Sequence, residues 1–208
     1  MLKEFQETYR EKWDQKLVFR HKAALELIKK YSIKDFIDLG CWNGIFLEYI
    51  KKHSWIIGKW IELSDYGCNE VRKKWFEVYN ADIVSDSFDQ KTDAVVCLDV
   101  LEHLFNPGEV VKKIHSIAHK YLIVSVPNFN SITARFQVLF WRIPENNTER
   151  KGHCYWFNLR VLKKTLQDNG FDVVEIKTNT ILWLTFLSKL FPSLFALSFV
   201  VLCKKKVK

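Results

Sequence analysis

From Lys34 onward, short apolar runs alternate along the chain with longer segments of helical periodicity. The runs have the length of β-strands and are apolar almost throughout, rather than at every second residue. Strands of that kind are buried on both faces, as happens when helices connect parallel strands. The alternation therefore predicts a doubly wound α/β domain built on a mostly parallel sheet.

The same pattern gives the expected bounds of each element. The predicted strands are Asp35–Leu39, Trp55–Leu63, Phe76–Tyr79, Ala94–Leu98, Tyr121–Val126 and Val173–Ile176. The predicted helices are Ile45–Lys52, Asp65–Lys74, Pro107–His119 and Leu159–Asn169, with Gly170 ending the last of them. Residues 1–30 are also predicted to be helical, with one apolar stripe through Leu2, Phe5, Tyr9 and Trp13 and a second through Ala24, Leu27 and Ile28.

The composition is that of a single globular domain. The 208 residues are 48% hydrophobic and 27% charged, which excludes a disordered or fibrous chain. The five cysteines form no CxxC pair, which argues against a zinc ribbon or a thioredoxin-like redox site. The N-terminus lacks the apolar stretch of a signal peptide, so a reducing, cytoplasmic location is expected.

The net charge of +8 is concentrated at the C-terminus. Four of the last five residues are lysines, so the rest of the chain carries 8 − 4 = +4. A lysine tail is usually a solvated terminus, and the remaining charge is too small to indicate RNA or DNA. A nucleic-acid partner is therefore not favoured.

In doubly wound sheets, ligands bind beyond the carboxyl ends of the strands. The first strand leads to Gly40 and Gly44, which allow a tight turn and a close backbone approach at a helix N-terminus. The second ends at Glu62, 18 residues after Gly44, where a carboxylate can accept hydrogen bonds from a ribose diol. The third leads to Asp82 and Ile83, an acid and an apolar residue that suit an adenine ring. Together these residues predict a nucleoside site.

The segments at these strand ends are FIDLGCWNGIFLEYI, WIELSDYGCNEVRKK, NADI, DAVVCLDVLEHL and LIVSVPN. They resemble class I S-adenosylmethionine-dependent methyltransferases, and most closely the small-molecule and MetW-like families. The resemblance covers Lys34 to Lys206 and implies a Rossmann-like sheet of seven strands with an antiparallel last strand. In the family's acid-x-Gly-x-Gly-x-Gly loop, Trp42 stands in place of the middle glycine.

The resemblance also implies S-adenosylmethionine as the cofactor. The cofactor-binding residues would be Asp38, Gly40, Cys41, Trp42, Gly44, Glu62, Asp82, Ile83 and Leu98. Transfer of a methyl group to a hydroxyl or amine benefits from a base that takes the proton. His103 is the first candidate for that base and Asp99 the second, while the alternative for His103 is a buried histidine bonded to the backbone.

A metal site is a second interpretation of the same region. Asp99, Glu102 and His103 have acid-x-x-acid-His spacing, and His153 follows 50 residues after His103. This set resembles the metal-dependent branch of the fold, in which a divalent ion polarises a substrate hydroxyl. Metal-free relatives also carry an acid-x-x-Glu-His run, where it opens the next helix, so a metal is not the favoured interpretation.

The chain is expected to form one methyltransferase domain over residues 1–208, with three additions to the sheet. Residues 1–30 would form a helical cap, and residues 181–208 a closing helix, last strand and basic tail. Residues 128–158 would form a substrate lid, whose Arg135, Arg142, Arg150 and Lys151 favour an anionic or glycan-linked acceptor; the alternative is a segment that seals the sheet edge.

The apolar segment Ile181–Cys203 is interrupted by Lys189 and Pro192. The longest stretch without a charge, Leu190–Cys203, has 14 residues, fewer than a membrane span requires. A core role is therefore expected. Peripheral contact with a membrane surface through Trp183, Phe186, Leu187 and Phe191 is the alternative.

These observations predict a methyltransferase that acts by in-line transfer on an oxygen or nitrogen of a small-molecule or glycan-type acceptor. Two alternatives stay open: a metal-dependent RNA 2′-O-methyltransferase, and a non-catalytic MetW-like partner of another enzyme. A nicotinamide-dependent oxidoreductase is disfavoured because Gly40 and Gly44 lack the G-x-G-x-x-G order. The acceptor, the methylated atom and the oligomeric state do not follow from the sequence.

Overall fold

The computed structural model describes residues 17–144 and 151–206. Helices α1 to α8 span Phe19–Lys30, Ile45–His53, Asp65–Lys73, Pro107–Ile117, Ile132–Leu139, Leu159–Asp168, Thr185–Leu190 and Pro192–Phe195. Strands β1 to β7 span Asp35–Leu39, Ile57–Glu62, Tyr79–Asn80, Thr92–Leu98, Ala118–Pro127, Phe171–Asn179 and Ser198–Lys205. Single 3₁₀ turns lie at Leu101–His103 and Leu182–Leu184.

The seven strands form one sheet in the order β3-β2-β1-β4-β5-β7-β6. Strands β1 to β5 pair in parallel, whereas β7 runs antiparallel to both β5 and β6. This topology confirms the predicted doubly wound sheet with an antiparallel last strand. The last strand predicted within residues 181–208 is found as Ser198–Lys205, and it lies inside the sheet rather than at its edge.

Helices cover both faces of the sheet, which explains why its strands are apolar almost throughout. Neighbouring residues of one strand point to opposite faces, so Phe36 belongs to one core layer and Ile37 to the other. The layer around Phe36 packs on α1 and α2, and the layer around Ile37 packs on α4 and α6. The two layers leave the carboxyl ends of the strands as the open edge of the sheet.

The largest error in the predicted strands concerns the strand over Phe76–Tyr79. Only Tyr79 and Asn80 pair with β2, because β3 is a short edge strand. Phe76 and Val78 instead pack, partly buried, against the core layer around Phe36. Their apolar character therefore reports side-chain burial, not strand pairing.

Helix α1 confirms the second predicted apolar stripe, because Ala24, Leu27 and Ile28 are buried against the sheet. The first stripe, through Leu2, Phe5, Tyr9 and Trp13, lies outside the described residues. At the other end, Lys205 of the basic tail is part of β7, and its Nζ donates to the carbonyls of His115 and Ala118 at 2.7 and 2.9 Å. Among the described residues, none of the helices is long and apolar enough to cross a membrane.

Candidate cofactor and active site

The pocket of interest lies where the strand order reverses. From β1 the chain builds β2 and β3 on one side of the sheet and then returns to build β4 on the other side. Crevices of this kind, beyond the carboxyl ends of the strands, are where doubly wound sheets bind ligands. The pocket here is lined by Arg20, His21, Asp38, Gly40, Cys41, Trp42, Asn43, Ile45, Phe46 and Leu98.

The loop between β1 and α2 is held in a turn that needs left-handed backbone at several positions. Gly40 and Gly44 have φ values of 78° and 74°, which glycine adopts without strain. Trp42 also has a positive φ, 48°, a conformation that costs a side-chain-bearing residue about 1–2 kcal/mol. Its indole packs beside the Tyr66 ring with centroids 5.9 Å apart. Trp42, which stands in place of the middle glycine of the family's loop motif, thus keeps the left-handed backbone conformation that glycine favours.

Glu62 supports this loop from the end of β2. Its Oε2 accepts a hydrogen bond from the Trp42 backbone N–H at 2.8 Å, and its Oε1 accepts one from the Ser64 N–H at 2.8 Å. The side chain is buried. A carboxylate oxygen has more than one lone pair, so a ribose hydroxyl can be added to these bonds. Glu62 therefore organises the loop.

Asp38 has the most perturbed carboxyl of the pocket. Burial, reinforced by the negative charge of Glu62, raises the pKa of Asp38 to about 8. A cation that binds beside such a carboxyl stabilises its ionised form and lowers its pKa. Cys41 lies in the same pocket, where burial raises the pKa of its thiol well above the ordinary value. The thiol is thus kept protonated, which suits a packing residue rather than a nucleophile.

Asp99 follows directly on β4, next to the pocket residue Leu98, and it does not itself line the pocket. Its φ is 55°, an uncommon backbone conformation for a residue with a side chain. Its Oδ1 accepts a hydrogen bond from the Ser125 hydroxyl, and its Oδ2 is ion-paired with the Arg20 guanidinium at 3.0 Å. Strained, doubly held residues of this kind are typical of functional sites.

Glu102, His103 and His153 form a cluster behind Asp99, with potential ligand atoms all within 4.8 Å of one another. Burial raises the pKa of Glu102 well above its ordinary value, and its Oε2 has no hydrogen-bond partner among the described residues. Burial lowers the pKa of His103. Its Nδ1 lies 3.1 Å from the Gly152 carbonyl, which can only accept, so Nδ1 carries the proton and Nε2 is the basic nitrogen.

Asp82 and Ile83 lie in the loop after β3. Asp82 Oδ1 accepts from the Val84 N–H at 2.8 Å, and the Asp82 N–H donates to Asp86 Oδ2 at 2.8 Å. The loop is attached to β2 by a hydrogen bond from the Ala81 N–H to the Glu62 carbonyl at 3.1 Å. These residues lie beside the Glu62 end of the site, but they do not line the pocket that contains Asp38.

Comparison with known proteins gives the family. A family model described as a methyltransferase domain matches residues 5–176. The chain belongs to that family. The sequence prediction of a methyltransferase is therefore confirmed. No protein of curated function matches the sequence.

Solved structures show the same fold at low sequence identity. Magnesium protoporphyrin IX methyltransferase from Synechocystis with bound S-adenosylhomocysteine is 16% identical, with a TM-score of 0.69 over 98% of this chain and 94% of that chain. A methyltransferase from Archaeoglobus fulgidus is 19% identical, with a TM-score of 0.65 over 97% and 98%. The small RNA methyltransferase HEN1 is 18% identical, with a TM-score of 0.69 over 94% of this chain but 27% of that chain. The fold is that of S-adenosylmethionine-dependent methyltransferases, which confirms the predicted cofactor at the level of the fold.

In this methyltransferase, the pocket brings together five of the nine predicted cofactor residues. They are Asp38, Gly40, Cys41, Trp42 and Leu98. Glu62 contacts the pocket through Trp42, and Gly44 closes the loop as the N-cap of α2. Of the four predicted metal ligands, Glu102, His103 and His153 come together, whereas the Asp99 carboxylate is engaged by Arg20 and Ser125.

Sequence reasoning missed Arg20, His21 and Asn43. Arg20 and His21 reach the pocket from α1, which is distant along the chain from the strand-end motifs. A signal was present, because Arg20 and His21 lie in the predicted helical segment 1–30, directly before the stripe through Ala24, Leu27 and Ile28, which is buried. Asn43 lies inside the recognised loop, and its Oδ1 accepts from the Ile45 N–H at 3.2 Å at the start of α2.

Within the predicted lid, residues 128–144 and 151–158 are described and residues 145–150 are not. The segment begins at the carboxyl end of β5, contains α5, and returns to the sheet where the Phe129 N–H donates to the Phe157 carbonyl at 2.8 Å. Phe129 and Trp156 pack together with ring centroids 6.1 Å apart. The segment thus lies at the same edge of the sheet as the pocket.

Proposed function

We propose that this methyltransferase transfers a methyl group from S-adenosylmethionine to an oxygen or nitrogen nucleophile of a small-molecule or glycan-type acceptor. The observation that carries the proposal is the pocket at the β1–β4 reversal, which combines a buried carboxyl, a guanidinium and a glycine turn. That donor set fits an amino acid joined to a nucleoside. Asp38 complements the ammonium group of such a ligand, and Arg20 complements its carboxylate.

The remaining cofactor contacts follow from the strand ends. Glu62 accepts from the ribose diol, while Asp82 and Ile83 bind the adenine amine and ring face. Leu98 provides an apolar wall beside the sulfonium at the end of β4, where it is mostly buried. When bound, S-adenosylmethionine supplies a methyl group on a positively charged sulfur, and the nucleophile attacks in line with the carbon–sulfur bond, whose electrons return to sulfur.

His103 takes the acceptor's proton in this proposal. Because the Gly152 carbonyl holds the proton on Nδ1, Nε2 is the nitrogen that accepts the acceptor's proton. Burial lowers the pKa of His103, so the imidazole is neutral near pH 7 and can accept a proton. Asp99 holds a fixed negative charge beside the reaction centre, and its pairing with Arg20 and Ser125 restricts its orientation.

A metal-dependent transfer to an RNA 2′-hydroxyl is the second candidate, and the cluster of Glu102, His103 and His153 favours it. In that mechanism His103 is a ligand and not the base. Binding of Mn²⁺ can be measured directly by calorimetry, with His153→Ala as the test variant. Binding that is lost in His153→Ala supports the second candidate, and no binding removes it.

The acceptor class can be tested with methyl-labelled S-adenosylmethionine and an extract of the source cells. Label should enter the small-molecule or glycan fraction, be insensitive to chelators, and disappear with Asp38→Asn. Label in RNA that disappears with a chelator would instead support the metal-dependent candidate. Binding of S-adenosylmethionine without any labelled product would indicate a non-catalytic, MetW-like partner.

A further inference from the structure

The edge of the sheet that contains the active site also exposes an unusually large apolar surface. We define this apolar surface by the exposed apolar residues in and after α5 and around α7, which are Phe136, Val138, Leu139, Phe140, Trp141, Ile143, Ile181, Trp183, Phe186, Leu190 and Phe191. It includes Trp141, which is 98% exposed, Trp183 at 78% and Phe186 at 70%. Single exposed apolar residues are normal, whereas a cluster of this kind indicates a binding surface for protein or membrane.

The two segments belong to the same end of the molecule. Asn128, four residues before α5, donates from Nδ2 to the carbonyls of Ser193 and Ala196 at 2.9 and 2.8 Å. Its backbone N–H donates to the Leu197 carbonyl at 2.9 Å. The carboxyl ends of β5 and β6 are paired there with the start of β7, at Ser198. Both segments therefore rise from the edge on which the cofactor pocket opens.

Helix α7 buries the hydroxyl side chain of Ser188 and exposes large apolar side chains. Ser188 is buried, and its hydroxyl lies 3.1 Å from the Thr178 hydroxyl and 3.0 Å from the Thr185 carbonyl. Phe186 and Leu190 face outward. A helix on a water-exposed surface has the opposite arrangement. The outward apolar face is thus built into the packing of α7.

The charge of this region has one sign. Residues 128–144 and 180–198 contain no aspartate or glutamate, and their charged residues are Arg135, Arg142 and Lys189. All three are exposed. Aromatic and aliphatic side chains surrounded by lysine and arginine are typical of helices that lie in the interface of an anionic bilayer. Tryptophan in particular is enriched at the level of the lipid headgroups.

We propose that the apolar surface binds the surface of an anionic lipid bilayer and turns the active site toward it. The aromatic residues would enter the headgroup region, and the three cations would contact anionic lipid phosphates. An acceptor carried on a lipid would then reach the pocket without leaving the membrane. This last step rests on the proposed methyltransferase function, whereas bilayer binding does not.

The test is co-sedimentation with vesicles of phosphatidylcholine and phosphatidylglycerol in a two-to-one ratio, without cofactor or acceptor. Binding is expected to be at least about tenfold weaker on phosphatidylcholine alone, since each basic residue contributes about 1 kcal/mol at an anionic surface. The double variant Trp141→Ser, Phe186→Ser should lose at least about tenfold in affinity, because it removes apolar area that enters the bilayer.

The matched control is the double variant Trp55→Ser, Trp75→Ser. These tryptophans are 103% and 92% exposed, but they lie before β2 and after α3, at the opposite edge of the sheet. Their loss should leave vesicle binding unchanged. The proposal is overturned if the protein does not bind anionic vesicles, or if both double variants bind equally. It is also overturned if the surface mediates self-association, seen in sedimentation velocity as a dimer that Trp141→Ser, Phe186→Ser dissociates.

Methyl transfer to an acceptor carried on a lipid can be measured separately from vesicle binding. Label from methyl-labelled S-adenosylmethionine should enter an organic-solvent-extractable fraction of source-cell membranes, and less of it should do so with Trp141→Ser, Phe186→Ser. Label confined to water-soluble acceptors would overturn this step even where the protein binds vesicles. Failure of the cofactor to bind would refute the methyltransferase site while leaving the vesicle result intact.

Discussion

Asp38, which lines the pocket, and Asp99, which is ion-paired with the pocket residue Arg20, are two carboxyl groups in opposite surroundings. Asp99 is half-exposed and ion-paired with Arg20, whereas Asp38 is buried beside a second acid, Glu62. The first arrangement fixes a negative charge in place. The second favours the protonated, neutral carboxyl until a cation binds. Asp38 is therefore the carboxyl that gains most from a cationic ligand.

Asp38 should make the free energy of unfolding depend on pH. Burial and Glu62 raise its pKa to about 8, whereas in the unfolded chain it is near 4. Between those values the folded protein binds one proton more than the unfolded chain, so the free energy of unfolding falls as pH rises toward 8. Asp38→Asn should remove this fall and raise the stability at pH 8 by at least about 1 kcal/mol.

Denaturant titrations of both proteins at pH 5 and pH 8 would measure the effect. The same variant should lose S-adenosylmethionine binding, because an amide cannot neutralise the ligand's ammonium group. Gain of stability with loss of binding is the signature of a group strained for function. Identical pH dependence in the two proteins would contradict the surroundings assigned to Asp38.

His103 is expected to act on turnover and not on cofactor affinity. His103→Gln should lower kcat by about 10²–10⁴-fold and leave the Kd of S-adenosylmethionine nearly unchanged. Burial lowers the pKa of His103. The midpoint of the acid limb of the wild-type kcat–pH profile should therefore lie below the ordinary histidine pKa of about 6.5. His53→Gln, at an exposed position in α2, is the control. Full activity of His103→Gln would return His103 to a structural role.

At the scale of elements, the cofactor loop is a turn that depends on one close contact. A Cβ atom on Gly40 would lie 2.6 Å from Val100 Cγ2, and the φ of 78° is unfavourable for any other residue. Gly40→Ala should therefore destabilise the protein by about 1–3 kcal/mol and reduce cofactor affinity. Gly108→Ala, in the first turn of α4 where a Cβ has ordinary contacts, should be neutral or stabilising. Equal melting temperatures for the two variants would refute the geometry of this loop.

Helix α1 contributes to the pocket through Arg20, which makes the helix part of the site and not only a cover of the sheet. Arg20→Gln should weaken S-adenosylmethionine binding by about 10–100-fold, since a hydrogen bond to a charged group contributes about 1.5–3 kcal/mol. Lys22→Gln removes an exposed cation two residues away and should have little effect. Calorimetric titration of both variants measures this difference. Equal affinities of the two variants for S-adenosylmethionine would show that Arg20 only forms the ion pair with Asp99 and does not bind the cofactor.

At the scale of the whole molecule, the central strands and the helices between them are predictable because their patterns follow from burial on two faces. The bounds of β1 are predicted correctly, and those of α2, α3 and α6 differ by one residue. The edge strand β3 is not predictable in this way, because Phe76 and Val78 have the same hydrophobicity whether or not their backbone pairs. The bounds of fully buried strands are therefore more reliably predicted from sequence than those of edge strands.

The candidate site is predictable only where it follows local motifs. Asp38, Gly40, Trp42 and Leu98 stand at strand ends, so the topology brings them together. The ion pair between Arg20 and Asp99 joins residues far apart in the sequence, and so does the approach of His153 to Glu102. The core role expected for Ile181–Cys203 is confirmed for Phe199–Cys203 but is wrong for Phe186 and Leu190 of α7, whose side chains are exposed. Those features depend on packing that a linear pattern does not contain.

Calorimetric titration of the purified protein with S-adenosylmethionine, S-adenosylhomocysteine and NAD is the decisive measurement. Saturable binding of the first two at one site per chain and no binding of NAD are expected, because Asp38 and Arg20 match the amino-acid part that only the sulfur ligands carry. Absence of binding by both sulfur ligands would contradict the proposed cofactor site. That result would mean that Trp42 closes the loop on an empty pocket, and that the fold is used without its cofactor.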